Sequence, residues 1–259
     1  MQQETPSRRI VLLGASNVAK SISTAVSVAR EGFPGQLDLL AAMGHGRAYT
    51  RHTSVLGRGL PAIVSCSLWS DLAARPPAPT TAVVMDVGND IIFGATTEEV
   101  LAGVETCLDR LAKVDAQVTV VGLPLASLER LGPWRFQLFL RLFFPFSRLE
   151  YADGMQTARA THQRLKQLAA DQGATFVPQR GDWYGVDPIH LRRSFWSPAW
   201  KNFFSFTSDA PAQRWALGSP GRFLYLRTRS PALRKWWNWE QRGLQPCGRL
   251  ASGVDLSWY

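Results

Sequence analysis

The stretch Arg9-Ile10-Val11-Leu12-Leu13-Gly14-Ala15-Ser16 decides the fold of this chain, because an apolar run ends there at a glycine turn. It predicts a strand over residues 9–14, followed by a helix over residues 17–30 that ends near Gly32 and Pro34. The residues downstream repeat this alternation of strand and helix, which indicates an α/β fold.

Four more strands are predicted after this unit, and the third strand of the chain is apolar enough to lie at the centre of a sheet. Two long helices are predicted among them, and a capping box opens the first, because Thr96 can cap free N–H groups while Glu99 reaches back. This order favours a three-layer α/β/α sandwich with a central, mostly parallel five-stranded sheet of flavodoxin-like type. The four strands cover residues 36–41, 81–87, 117–121 and 174–177, and the two helices cover residues 96–113 and 152–172.

Positive charge and tryptophan are concentrated at the C-terminal end. The 259 residues carry a net charge of +9, and the segment after residue 190, with eleven Lys or Arg against three Asp or Glu, accounts for +8 of it. The same segment holds seven of the ten tryptophans. We therefore expect a near-neutral domain over residues 1–192, long enough to bury a full core, and a basic, Trp-rich C-terminal extension over residues 193–259.

The cysteines and histidines predict no metal site. Cys66, Cys107 and Cys247 are far apart, and the four histidines have no metal-ligand spacing, so a disulfide framework is not expected either. Gly14-Ala15-Ser16-Asn17-Val18-Ala19 lacks the later glycines of a dinucleotide-binding turn, and we expect no cofactor. Residues 1–10 are polar and charged, and no apolar run is long enough to span a membrane, so we expect a cytoplasmic protein.

Residues with catalytic potential follow the carboxyl ends of four predicted strands, the edge at which parallel sheets bind their ligands. Ser16 follows the first strand, Asn89 the third, and Asp187-Pro188-Ile189-His190 the fifth. Gly44 and Gly46 follow the second strand. Each of these residues also has a purely structural interpretation: Ser16 can be a helix N-cap, and the others can be turn residues. Their convergence at one edge of the sheet favours a functional site.

These residue types are the ones that serine-based acyl transfer requires. Asp187, three residues before His190, can hold the imidazole in one tautomer, with Nε2 free to accept the Ser16 proton. The Asn89 amide can act with the backbone N–H groups of Ser16 and Gly46 as an oxyanion hole. The pattern therefore predicts an enzyme.

Four sequence blocks, in order, resemble those of the SGNH (GDSL-type) hydrolase family over about residues 8–192. The first is Gly14-Ala15-Ser16, where Ala15 stands in the position that is usually Asp in the family. The second is a glycine block that Gly46 fits best, with Gly44 as the alternative. The others are Val87-Gly88-Asn89-Asp90 and Asp187-Pro188-Ile189-His190.

The resemblance implies that Ser16 is the nucleophile, His190 the general base and Asp187 its orienting carboxylate. It also implies that Gly46 and Asn89 are oxyanion donors. The implied activity is that of an esterase or lipase-like acyl hydrolase, which cleaves an ester or thioester of a lipophilic acyl or acetyl group through an acyl-enzyme. Two alternatives stay open: an acyltransferase that uses the same site, and a catalytically silent lipid- or membrane-binding protein on the same scaffold.

An aromatic segment over residues 134–148 follows the fourth strand and is apolar around nearly its whole helical circumference. We interpret it either as a lid or acyl-chain wall, with Trp134, Phe139 and Phe143 contacting substrate, or as a helix packed on the domain. In the first case the expected partner is a small-molecule or lipid ester.

The C-terminal extension contains Arg234-Lys235-Trp236-Trp237-Asn238-Trp239, and tryptophan beside Lys or Arg is typical of membrane-interface anchors. Peripheral membrane contact and packing on the catalytic domain are both open interpretations. The same composition occurs in single-stranded nucleic-acid platforms. No recognised nucleic-acid motif is present in the sequence, so nucleic acid is not expected as a partner.

Overall fold

The computed structural model describes residues 6–55, 57–145, 147–206, 219–237 and 239–259. These ranges contain eleven strands and eight α-helices. The strands are β1 (Arg8–Leu13), β2 (Leu37–Ala42), β3 (Thr53–Val55), β4 (Arg58–Leu60), β5 (Thr80–Val84), β6 (Gln117–Val121), β7 (Thr175–Val177), β8 (Leu233–Trp236), β9 (Trp239–Arg242), β10 (Gly248–Leu250) and β11 (Val254–Trp258). The helices are α1 (Ser16–Gly32), α2 (Leu68–Ala74), α3 (Gly88–Ile92), α4 (Thr97–Ala112), α5 (Leu125–Phe143), α6 (Tyr151–Asp171), α7 (Trp196–Phe203) and α8 (Pro220–Thr228).

The central sheet has the strand order β10-β11-β2-β1-β5-β6-β7. The five strands from β2 to β7 in this order are parallel, and each agrees with a strand predicted from the sequence to within three residues. The α/β class and the mostly parallel central sheet are thereby confirmed.

Two further strands come from the C-terminal extension, so the sheet has seven strands where five were expected. β11 runs parallel to β2, with Leu256 opposite Leu39, and β10 runs antiparallel to β11. Local apolar periodicity does not reveal this pairing, because the partners lie more than 200 residues apart. The division of the chain at residue 192 stays a prediction, although the segment after it completes the same sheet.

Helices cover both faces of the sheet. Ile10 and Leu12 of β1 belong to the apolar cluster that includes α1 and α7. Val11 and Leu13, which alternate with them, belong to the cluster that includes α4 and α6. Because successive side chains of a strand point to opposite faces, this division defines the three layers of the sandwich.

The predicted capping box at the start of α4 is confirmed. The Glu99 N–H donates to the Thr96 hydroxyl at 3.2 Å, and the Thr96 N–H donates to the Glu99 carboxylate at 2.8 Å. The aromatic segment lies mostly in α5, which begins nine residues earlier than expected and ends at Phe143. Gly132 breaks this helix with φ 70° and ψ 165°, directly before Pro133.

A second, antiparallel sheet has the order β3-β4-β8-β9. It joins the hairpin that follows β2 to the C-terminal extension, with Arg58 opposite Trp236. None of the helices within the described ranges is both long enough and apolar enough to cross a membrane.

Candidate active site

Ser16 lies at the turn between β1 and α1. The turn is tight, because a Cβ on Gly14 would lie 2.6 Å from a methyl carbon of Val18. Ala15 occupies the N-cap position, so Ser16 is the first helical residue and not the cap. Its side chain is 7% exposed and lines a cavity that is open to the surface. The hydroxyl is therefore available to a ligand in this cavity.

Ser16, His190 and Asp187 form one hydrogen-bonded chain. The Ser16 Oγ lies 2.8 Å from the His190 Nε2, and the His190 Nδ1 lies 2.6 Å from the Asp187 Oδ2. The other Asp187 oxygen accepts the N–H groups of Ile189 and His190, at 3.2 Å each. A carboxylate on Nδ1 directs the Nε2 lone pair towards the hydroxyl, which is the arrangement that a general base requires.

The Asp187 carboxylate is kept ionised. Partial burial acts to raise its pKa, but the hydrogen bond and charge of His190 and the two backbone N–H groups outweigh burial. The pKa of Asp187 is therefore below its ordinary value, and the group carries a negative charge opposite the imidazole at neutral pH.

Two residues that the sequence analysis did not select, Asn17 and Asp86, join the serine turn to the histidine loop. The Asn17 side-chain amide donates to the Asp86 carboxylate and to the Ile189 carbonyl, at 2.8 Å each, and its oxygen accepts the Leu191 N–H at 2.9 Å. The Asp86 carboxylate also accepts the N–H groups of Ala15 and Asn17. A carboxylate thus lies at the serine turn, although it comes from the residues after β5 and not from position 15.

A sequence signal for these two residues existed. Asn17 is adjacent to Ser16, and Asp86 follows an apolar strand at the same sheet edge as Asn89. Asp86 also has φ 63°, a left-handed conformation that Asp tolerates better than most residues. Their pairing with each other was not predictable, because 69 residues separate them.

Asn89 is oriented by the loop that follows β2. Its side-chain amide donates to the Arg47 carbonyl at 2.9 Å, which leaves one amide hydrogen for a second acceptor. The neighbouring carboxylate of Asp90 accepts the Tyr49 N–H at 2.7 Å and the N–H and hydroxyl of Thr50 at 2.9 and 2.7 Å. Two successive side chains of α3 therefore hold this loop in place. Asn89 lines the same cavity as Ser16.

The two candidate oxyanion glycines differ in the state of their N–H groups. The Gly44 N–H donates to the Ala15 carbonyl at 3.4 Å, whereas the Gly46 N–H donates to no residue that the structure describes. Gly46 has φ 70°, and a Cβ there would lie 2.5 Å from Val55. The position therefore requires glycine, and its N–H is the freer donor of the two.

An apolar cavity of about 80 Å³ begins at Ser16 and continues between α5 and α6. Its floor carries Asp86, Gly88 and Asn89 next to the serine. The apolar wall includes Leu128, Leu131, Phe136, Phe139 and Leu140 of α5 and Met155 of α6.

Of the two candidate aromatic contacts whose side chains the structure describes, one lines this cavity. Phe139 lines it, whereas Trp134 does not and is 74% exposed. Five residues along an α-helix turn about 140°, so these two side chains project from different faces of α5. The side chain of Phe143 lies outside the described residues.

The chain has the fold of SGNH/GDSL-type esterases. Similar solved structures include an aryl esterase from M. smegmatis, at 17% identity and a TM-score of 0.50, covering 77% of this chain and 100% of that one. A second is a carbohydrate acetylesterase from Sinorhizobium meliloti, at 17% identity and a TM-score of 0.52, and its alignment covers 76% of this chain and 97% of the acetylesterase. A member of the lipolytic G-D-S-L family from Veillonella parvula, at 10% identity and a TM-score of 0.50, covers 77% of this chain and 100% of its own.

At these low identities the structural likeness shows a shared fold. No protein-family model matches the chain, and no curated protein matches it in sequence. Within the part of the chain that the structure describes, no three His, Cys, Asp or Glu side chains cluster as a metal site would require.

Proposed function

We propose that this protein is a serine esterase that hydrolyses esters or thioesters of short acyl groups. The observation that carries the proposal is the hydrogen-bonded chain from Asp187 through His190 to Ser16, which ends at an apolar cavity. The shared fold with the aryl esterase and the carbohydrate acetylesterase supports the same reaction class.

In the first half-reaction, the Ser16 Oγ attacks the ester carbonyl carbon while the His190 Nε2 takes the hydroxyl proton. The carbonyl electron pair moves to oxygen, and a tetrahedral oxyanion forms. When this pair returns, the bond from carbon to the alcohol oxygen or thiol sulfur breaks. His190 gives its proton to the leaving group, and the acyl group stays on Ser16. Water, activated by the same imidazole, then releases the acid and restores the hydroxyl.

Three hydrogen-bond donors are the proposed stabilisers of the oxyanion. The Ala15 and Asn17 N–H groups on either side of Ser16 are occupied by Asp86, and the Ser16 N–H donates to no described residue. The N–H of Gly46 and the second amide hydrogen of Asn89 complete the proposed set. The first N–H groups of a helix also carry a partial positive charge.

The cavity supports a short acyl chain. Its volume of about 80 Å³ corresponds to roughly five to eight water-sized groups at 10–15 Å³ each. The wall formed by α5 and α6 is apolar, and Asp86 and Asn89 line the cavity together with Ser16. We therefore propose acyl groups of about four to eight carbons, with the carbonyl at Ser16 and the chain between α5 and α6. An acyltransferase would use the same first half-reaction with an alcohol or amine in place of water.

The test is labelling with a fluorophosphonate probe, mapped by mass spectrometry, together with hydrolysis of p-nitrophenyl esters of increasing chain length. We expect an adduct on Ser16 and turnover that is greatest for short chains. A folded protein with no adduct and no turnover would overturn the proposal. Acyl-enzyme formation followed by faster transfer to an added alcohol than to water would instead establish an acyltransferase.

Peripheral membrane contact is a second candidate property, supported by exposed apolar side chains beside the cavity. Trp134, Leu138 and Leu142, four residues apart on one face of α5, are 74%, 53% and 70% exposed. Trp237, 76% exposed, shares a groove with Leu142. We call these four residues the apolar rim. Apolar side chains on a protein with a net charge of +9 suit an anionic membrane surface.

A further inference from the structure

Four cationic side chains from four different elements lie near the loop that follows β2, which contains His45. They are Lys20 of α1, Arg58 of β4, Arg227 of α8 and Arg234 of β8, and we call them the cationic cluster. Lys20, Arg58 and Arg227 act electrostatically on His45 directly, and Arg234 acts on Arg58.

Backbone geometry ties the cluster to the serine site. Lys20 is four residues after Ser16 on α1, about 6 Å along the helix axis. The hairpin that carries Arg58 packs closely on the loop that carries His45. A Cβ atom added to Gly44 would lie only 2.8 Å from Leu60, and one added to Gly46 would lie only 2.5 Å from Val55.

Strand pairing brings the fourth cation to the same place. Arg58 of β4 is opposite Trp236 of β8. Arg234 is two residues from Trp236 and therefore points to the same face of this sheet as Arg58. The two guanidinium groups are diagonal neighbours across one pair of strands.

No acidic side chain in the described ranges forms an ion pair with any of these four cations. Asp187 and Asp86 act on Lys20 electrostatically without such a contact. Elsewhere the chain pairs its arginines readily, as in Arg159 with Glu129 and Arg164 with Glu98. Within the described ranges, the positive charge of Arg58, Arg227 and Arg234 is therefore not compensated by an ion pair.

The cations act on one another electrostatically. Loss of contact with water, and then the charges of Lys20, His190, Arg227 and Arg58, lower the pKa of His45 to about 4. Desolvation, and then the charges of Arg234 and Arg227, lower the pKa of Arg58. Repulsion of this kind destabilises the free protein and is relieved when an anion binds.

The cluster and the apolar cavity lie on opposite sides of Ser16. In the sheet, β1 has β2 and β11 on one side and β5, β6 and β7 on the other. The cavity is built from the loops and helices that follow β5 and β6. The cluster lies at the loop that follows β2. An ester bond held at Ser16 would thus have its acyl half on the β5 side, in the cavity, and its alcohol or thiol half on the β2 side, at the cluster.

We propose that the cationic cluster binds a phosphate group on the alcohol or thiol half of the substrate, so that the preferred esters are phosphate-bearing. This inference rests on the proposed function, because it defines the two halves by the bond that Ser16 cleaves. Three arginines and a lysine favour a phosphate, whose several oxygens and higher charge can engage more than one guanidinium. A single carboxylate is matched by one arginine.

Binding is tested without turnover, by calorimetric titration of inorganic pyrophosphate into the full chain carrying Ser16→Ala. The double change Arg58→Gln and Arg227→Gln should weaken binding at least about ten-fold. The matched control is Lys113→Gln with Lys166→Gln, which removes two exposed positive charges elsewhere and should leave binding nearly unchanged. No saturable binding, or equal weakening by both double changes, would overturn the proposal.

Turnover is tested with two aryl esters of the same acyl chain, one neutral and one with a phosphate on the aryl ring. We expect kcat/KM to be at least about ten-fold higher for the phosphate-bearing ester than for the neutral one. In the Arg58/Arg227 variant this preference should disappear because KM for the phosphate-bearing ester rises. Equal kcat/KM values in the unmodified protein would overturn the proposal. Saturable pyrophosphate binding with no turnover of either ester would instead contradict the esterase function but still support the anion site.

The origin of the phosphate is tested with vesicles of phosphatidylglycerol and of phosphatidylcholine. If the phosphate belongs to a lipid headgroup, the Arg58/Arg227 variant loses binding to phosphatidylglycerol vesicles as strongly as it loses pyrophosphate binding. If it belongs to a soluble substrate, vesicle binding stays unchanged while pyrophosphate binding falls. Both results support an anion site and differ only in the source of the anion.

Discussion

The side-chain amide of Asn17 donates to the carboxylate of Asp86 at 2.8 Å, and this hydrogen bond links the serine turn to the residues after β5. Asn17 also binds the backbone on both sides of His190, through the Ile189 carbonyl and the Leu191 N–H. One buried side chain thus holds two loops that are 174 residues apart in sequence. The distance from Ser16 to His190 depends on it.

Asn17→Ala should therefore reduce both stability and turnover. It removes three hydrogen bonds at a buried position and leaves the Asp86 carboxylate with fewer donors, which we expect to cost on the order of 2–4 kcal/mol of unfolding free energy. Because the serine and histidine loops lose their common partner, kcat should fall by about 100-fold. Chemical denaturation and steady-state kinetics measure the two effects. Asn202→Ala, at an exposed site on α7, is the matched control, and an equal loss in both variants would contradict a positioning role.

Ser16→Ala should abolish turnover and leave the fold intact. The Ser16 hydroxyl is the proposed nucleophile, and loss of a nucleophile of this kind lowers kcat by about 10⁴-fold or more. Asp187→Asn should lower kcat by about 10²–10⁴-fold, because the amide no longer stabilises the imidazolium or selects its tautomer. Circular dichroism spectra and unfolding midpoints check the fold of each variant. Substantial hydrolysis by a folded Ser16→Ala protein would exclude Ser16 as the nucleophile.

Leu131→Trp should shorten the preferred acyl chain. Leu131 lines the cavity between α5 and α6, so a larger side chain there occupies the space proposed for the distal carbons. We expect kcat/KM for octanoyl esters to fall at least about ten-fold while acetyl esters keep most of their activity, since one misfitting group in an apolar pocket costs roughly 1–3 kcal/mol. Leu138→Trp, on the exposed face of the same helix, is the control. An unchanged chain-length profile would show that acyl chains bind elsewhere.

Anion binding should raise the pKa of His45. Desolvation and then neighbouring cations hold this pKa at about 4 in the free protein, and a bound phosphate would offset the positive charge that disfavours the imidazolium. NMR titration of the histidine ring protons with and without pyrophosphate measures the shift. His162 packs against Phe176 on the β6–β7 side of the sheet and serves as internal control. If the pKa of His45 does not change at saturating pyrophosphate, the anion does not bind close to this histidine.

The apolar rim should contribute to vesicle binding. Replacing Trp134 and Trp237 by Ser removes two large exposed side chains, and we expect the fraction bound to phosphatidylglycerol vesicles to require at least about ten-fold more lipid. Co-sedimentation measures the bound fraction. Leu244→Ser, at a site that is 93% exposed, tests whether any exposed apolar residue has the same effect. Identical sedimentation of all three proteins would refute membrane contact through the rim.

The local features of this chain were determined by its sequence alone. Continuous apolar runs mark the five parallel strands, Thr96 and Glu99 mark the start of α4, and glycine or polar residues mark the strand ends where Ser16 and His190 lie. Each of these signals acts over a few residues, through side-chain periodicity, backbone conformation or capping, and can be recognised without knowledge of the rest of the fold.

Only the tertiary structure decided which distant residues meet. β11 pairs with β2, Asn17 with Asp86, and Arg58 lies beside Arg234, although 69 or more residues separate each pair. The break at Gly132 and the choice of cavity-facing residues on α5 likewise depend on what packs against that helix. Such pairings follow from the packing of the whole chain, because a strand edge or a charged side chain carries no local mark of its partner.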